Sequence, residues 1–177
     1  GGRNDDGVRG LFAEVFGVKA HVHGAAGWQM NRHAFRMTQR LGFEYCSDTR
    51  GTHPFMPVVD GELIDCPQIP TTLPTLDELI GADGLTGENI AAHLLDVTAQ
   101  EPLHPHVYTL HAELEGMQLA NVFDTLLSGW RQQGYTLQPM REIMNSLNRE
   151  ALPRHCLDRG SVPGRAGTLM TQGASFP

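Results

Sequence analysis

The chain has 177 residues, 40% of them hydrophobic and 19% charged, enough for one globular domain with a core of its own. Its formal net charge of −7 argues against a nucleic-acid partner, whose phosphates demand a basic face. The three cysteines, Cys46, Cys66 and Cys156, form no CxxC or zinc-knuckle spacing, and such an unpaired set reads as a reducing, cytoplasmic compartment.

The opening Gly1-Gly2-Arg3-Asn4-Asp5-Asp6-Gly7 reads as a linker, a tag remnant or the cut end of something longer. No charged-then-apolar leader and no run of membrane-span length is expected. Val8, Leu11, Phe12, Val15 and Phe16 then follow helical spacing up to Gly17. Val18 to His23 alternates like a strand and ends at the small residues Gly24-Ala25-Ala26-Gly27. A second helix carries Met30, Ala34, Met37 and Leu41 on one face and stops at Gly42.

Phe43 to Cys46 reads as a strand, followed by a Pro-rich loop and an extended stretch from Leu63 to Ile69. Thr75-Leu76-Asp77-Glu78 has the form of a capping box. A helix from about Glu88 to Val97 turns Ile90, Leu94 and Leu95 inward, and Val107 to Leu110 reads as a strand. The strongest helical pattern carries Leu119, Val122, Phe123, Leu126, Leu127 and Trp130, ending at Gly134. Tyr135 to Leu137 reads as a short strand, and Pro139 opens a last helix. Residues 1–150 are thus expected to form an α/β domain with parallel strands, and residues 151–177 an irregular Gly- and Pro-rich tail.

In parallel α/β folds, functional side chains gather at the C-terminal ends of strands. His111 follows such an apolar run, with Glu113 nearby to fix its tautomer, and an imidazole can give or take a proton near neutral pH. The competing reading is a hydrogen-bonded structural histidine. Asp48 and Arg50, two apart, suit either an anionic ligand or a local ion pair. His21 and His23 have the HxH spacing of a metal-dependent amidohydrolase, against which stands a pair of packed or surface histidines, and His104 and His106 carry the same ambiguity. Arg32, Arg36 and Arg40 form a basic helical stripe that fits anionic headgroups or plain solvent.

Four ordered blocks resemble the polysaccharide deacetylase family, and within it the branch of lipid-linked formamido-arabinose deformylases. They are Ala25-Ala26-Gly27-Trp28, Ser47-Asp48-x-Arg50-Gly51-x-x-Pro54-Phe55, Gln68-Ile69-Pro70-x-Thr72-Leu73-Pro74-Thr75-x-Asp77-Glu78 and Tyr108-Thr109-x-His111-Ala112-Glu113-x-Glu115-Gly116. Phe12-x-Glu14-x-x-Gly17 and Arg159-Gly160…Gly164-Arg165 fit as well. The resemblance implies the C-terminal portion of a distorted (β/α)7-type barrel that hydrolyses the N-acyl group of a lipid-linked or polysaccharide amino sugar, as in lipid A modification and polymyxin resistance. It implies His111 as the general acid and Trp28, Asp48, Arg50, Gln68 and Glu113 as substrate contacts. It also implies a divalent metal of the Zn, Mn or Co class. The family's ligands, an aspartate and an HxxxH pair, and its base aspartate precede these blocks, so no metal ligand is expected in this chain and the chain alone is expected to be inactive. Peripheral contact with the cytoplasmic face of the inner membrane follows from the same resemblance. The alternatives are a non-catalytic remnant that binds an amino-sugar lipid and an amidohydrolase built on His21 and His23.

Overall fold

The structure, a computed structural model, describes residues 2–177; the side chains of residues 2–6 and of Val8 lie outside the described ones. The first element is α1 (Gly2–Phe16), whose helical spacing is as expected. Leu11, Val15 and Phe16 on it remain exposed, and the rings of Phe12 and Phe16 pack on each other at 4.6 Å. A helix forms here without a core beneath these side chains.

The strand expected from Val18 is confined to β1 (Val22–His23), which pairs in parallel with β2 (Tyr45–Cys46), Val22 opposite Tyr45 and His23 opposite Cys46. Between them runs α2 (Arg32–Arg40), capped by the Asn31 side chain accepting from the Ala34 N–H. Phe35 and Thr38 are its fully inward residues, with Ala34, Leu41 and Met30 packed on the same cluster. Gly42 (φ +68) ends it as a left-handed cap.

The segment expected to be a Pro-rich loop instead contains β3 (Met56–Val59), buried along its whole length, in a hairpin with β4 (Glu62–Leu63). Its partner on the other side explains the misreading. β3 lies parallel to β5 (Arg154–Gly160), Met56 opposite Arg154 and Val58 opposite Cys156. β5 in turn pairs antiparallel with β6 (Leu169–Ser175). The tail expected to be irregular therefore holds the two longest strands, in the sheet order β4-β3-β5-β6. Its glycines serve close approach: a Cβ on Gly173 or Gly160 would press on the facing strand.

Single parallel bridges extend the β1–β2 pair: Cys46 with Gln68, then Arg50 with both Thr71 and Thr171. Thr72 and Leu73 donate to the Val107 carbonyl, but residues 107–110 form no ladder, and neither do 135–137, so the two strands expected there are absent. Both segments answer side chains and helices instead of a neighbouring strand. The result is a mixed α/β structure with parallel strands, in which the described strands do not close into a barrel.

The capping box is present: α3 (Leu76–Leu79) has Thr75 and Glu78 in reciprocal contact. α4 (Ile90–Val97) packs on α5 (Ala120–Gln132), burying Ile90, Leu94, Val122, Leu126 and Trp130 in one cluster with Leu76. A π-helical turn, Leu114–Gln118, leads into α5. α6 (Met140–Ser146) follows Pro139. No described helix is long and apolar enough to cross a membrane.

Candidate functional site

Two buried polar networks sit where β1, β2 and the 66–71 segment end. The first centres on Asp48, which has no exposed surface. Its Oδ1 accepts from the Ala25 N–H at 2.8 Å and meets His23 Nδ1 at 2.7 Å. Gln68 clamps the same residue twice: its Nε2 donates to Asp48 Oδ2 (3.1 Å), and its Oε1 accepts from the Asp48 N–H (2.9 Å). A buried carboxylate survives only when its lone pairs are taken up in this way. Its effect is to tie three strand ends and the Ala25–Trp28 loop into one unit.

The second network starts at Arg50. Its Nη1 donates to Glu78 Oε1 at 2.6 Å and its Nη2 to the Leu73 carbonyl at 3.0 Å. Arg165 donates to the same Glu78 oxygen (3.0 Å) and to Asp77 Oδ2 (2.9 Å). Both guanidiniums meet the indole of Trp28, Arg50 Cζ at 4.8 Å and Arg165 Cζ at 5.0 Å from the ring centroid. Trp28 holds φ +55 next to Gly27 at φ +60, an uncommon backbone for a bulky residue that the double cation contact helps to sustain.

Asp77 places a carboxylate beside His111. Its Oδ1 stands 3.4 Å from His111 Nδ1, an ion-pair distance without a hydrogen bond, and both side chains are a little over one-third exposed. The backbone beneath is set by Glu115, buried, which accepts the His111 N–H (2.9 Å) and the Tyr108 hydroxyl (2.7 Å). Burial and that hydrogen bond push the Tyr108 phenol far above its ordinary range, so it stays protonated as a donor. The expectation that Glu113 partners His111 is corrected: Glu113 is exposed, and the carboxylates at His111 are Asp77 and Glu115.

The structure brings Trp28 and Arg50 into one network with His111 at its edge, and gathers Asp48 and Gln68 into the adjoining one. Asp48 and Arg50 make no ion pair with each other; each has its own buried partners. His21 and His23 diverge, His21 toward Glu44 at 3.5 Å and His23 toward Asp48, so the HxH pair offers no shared ligand site. His104 and His106 separate likewise, His104 against the His53 ring and His106 beside Thr72. The basic stripe on α2 is partly neutralised by the β3–β4 turn, with Arg36 on Glu62 (2.7 Å) and Arg32 and Arg36 near Asp60.

Asp77, Glu78, Glu115 and Arg165 stand in the blocks that carry the resemblance, but the sequence assigned none of them a role in the site. Asp77 and Glu78 read there as a capping box, and Arg165 as part of a tail expected to be irregular. Gly164, with φ +79, passes so close to the Glu78 carbonyl that a Cβ has no room. Gly164→Ala is expected to lower stability by about 1–3 kcal/mol through backbone strain alone and to pull Arg165 off Trp28. Thermal melting, with the near-ultraviolet signal of Trp28, tests this, and a variant that matches wild type in both refutes the close packing.

The metal implied by the resemblance calls for an aspartate and an HxxxH pair. Among the described residues the converging donors are instead His23, Cys46 and Asp48, a different set, so the residues present do not fit that group.

No protein-family model matches the chain. It is 35% identical over 135 residues to a protein from Shewanella sediminis described as a probable 4-deoxy-4-formamido-L-arabinose-phosphoundecaprenol deformylase ArnD. The match covers 76% of this chain and 42% of that protein. A protein of the same description from Wigglesworthia glossinidia brevipalpis is 30% identical over 82% of the chain and 50% of its own length. The chain thus spans half or less of the curated relatives it matches. A solved structure described as a polysaccharide deacetylase from Mycobacterium smegmatis superposes with a TM-score of 0.57 at 17% identity, over 87% of this chain and 58% of that one, which supports a shared fold. The resemblance to polysaccharide deacetylases, and among them to the formamido-arabinose deformylases, is borne out by these relatives, whose descriptions are those of hydrolases of amide C–N bonds.

Proposed function

We propose that this relative of the polysaccharide deacetylases carries the leaving-group side of an amide hydrolase that removes the N-formyl group from a lipid-linked 4-formamido-arabinose. In this reading the strand arc is part of a distorted (β/α)7-type barrel, and a divalent metal of the Zn, Mn or Co class is held by ligands outside this chain. The observation that carries the reading is His111, partly exposed at the end of the 107–110 segment with Asp77 behind its Nδ1.

The chemistry asked of His111 is specific. Water adds to the amide carbon, and the C–N bond can break only if nitrogen leaves as an amine and not as an amide anion. With Nδ1 facing Asp77, Nε2 delivers that proton, and the carboxylate stabilises the imidazolium before transfer. Arg165 holds Asp77 from the other side, and Glu115 fixes the backbone. The burial of Trp28, Asp48, Arg50 and Gln68 supports positioning roles for them in place of direct substrate contact. Exposed Glu113 stays available to the sugar. The lipid-linked substrate would bring the protein to the inner-membrane surface, where the paired arginines of α2 contribute less than their number suggests.

The full-length protein, incubated with undecaprenyl-phosphate-linked 4-formamido-arabinose and with its acetamido analogue, is expected to release formate from the first. Release of acetate alone would move the substrate to an acetylated sugar. No release from either would overturn the reading in favour of a binding remnant.

A further inference from the structure

We infer that His23, Cys46 and Asp48 form a three-residue site for a soft divalent cation of the zinc class, its remaining position left to water. One donor atom from each lies within 4.8 Å of the other two. Cys66 Sγ, 3.4 Å from Cys46 Sγ, lies beside this set and outside it.

The convergence follows from strand register. His23 stands opposite Cys46 in the parallel β1–β2 ladder. Asp48 lies two residues beyond Cys46, on the same side of an extended chain. Three donors thus arrive from β1, β2 and the loop after β2.

The chemistry of the set is selective. Imidazole, carboxylate and thiolate together are a zinc-class set, whereas magnesium and calcium want oxygen alone. The Asp48 carboxylate and one thiolate cancel the two positive charges of the ion, which a buried site requires. Cys46 and Asp48 have no exposed surface, while the His23 ring is one-third exposed and lines a cavity of about 370 Å³. On binding, the Cys46 thiol gives its proton to solvent, and the His23–Asp48 hydrogen bond opens so that both groups turn onto the ion. Because Asp48 also holds the Ala25 N–H, an ion there would fix the loop that carries Trp28.

The test is a cobalt titration of this chain after dialysis against chelator. A single equivalent of Co²⁺ should bind with an intense near-ultraviolet thiolate-to-cobalt absorption that Zn²⁺ displaces. That band should be lost in Cys46→Ser and kept in Cys156→Ser. Thermal melting of the wild type provides a readout that needs no variant: one equivalent of Zn²⁺ should raise Tm, and excess Mg²⁺ should not. Absence of the band, its survival in Cys46→Ser, or a Tm indifferent to Zn²⁺ would each overturn the assignment.

Discussion

Replacing His111 with glutamine in the full-length protein is expected to lower kcat by about 10²- to 10⁴-fold, the usual loss when a positioned proton donor is removed. KM should change little, because the reading gives His111 a task at C–N cleavage and not in holding the sugar. Glutamine preserves much of the volume and a hydrogen-bonding end, and the His111 side chain is already partly exposed. The backbone contact with Glu115 is made by the His111 N–H, which the substitution keeps. Stability should therefore stay within about 0.5 kcal/mol of wild type. A variant that retains wild-type kcat would leave His111 a structural residue and favour the binding-remnant alternative. A parallel loss of folding would remove the basis for reading the effect as chemistry, which is why the melting curve belongs beside the kinetics.

Arg50→Ala is expected to be the most damaging single change to the fold, at about 3–5 kcal/mol, the cost typical of leaving one half of a buried ion pair behind. The Glu78 side chain is 1% exposed and that of Arg50 10%. The substitution strips Glu78 of its 2.6 Å donor, leaves the Leu73 carbonyl without its partner and removes one of the two cations on Trp28. Arg165 still reaches Glu78 Oε1, which pulls the expectation toward the lower end. For a domain of this size that is roughly 6–12 °C in Tm. Arg50→Lys should recover only part of it, since an ammonium cannot make the forked contact to Glu78 and Leu73 or stack on the indole. Urea unfolding at unchanged slope is the measurement, and a loss under about 1 kcal/mol would show that the network is not a structural keystone.

Local signals were legible where a single segment decides its own state. The capping box at Thr75–Glu78, the stop at Gly42 and the apolar face of α5 all depend on neighbours a few residues away, and all appear as expected. β3 and β5 were not legible, because each is made a strand by a partner far along the chain. β5 also lacks a clean alternation of buried and exposed residues. Val107–Leu110 failed the opposite way: an apolar run reads as a strand, but its polar backbone is met by Thr72 and Leu73 with no ladder.

The candidate site divides along the same line. Its motif residues Trp28, Asp48, Arg50, Gln68 and His111 stand out as polar or aromatic islands at segment ends. The carboxylates that organise them do not. Glu115 looks like one more charge at the start of a helix until Tyr108 and the His111 backbone close over it, and Arg165 is silent until β5 and β6 carry it back to Trp28.

The pairing of β3 with β5 also governs how the chain must come off the ribosome. Met56 waits for a neighbour, Arg154, that is synthesised roughly a hundred residues later, on the order of 5–20 s of translation. Through that interval β3 has only the two-residue β4 as a strand partner, and a lone hairpin is marginal in water. The nascent segment is therefore a natural client for holding chaperones, and slow closure of this distant contact, more than any helix, sets the pace at which the domain folds.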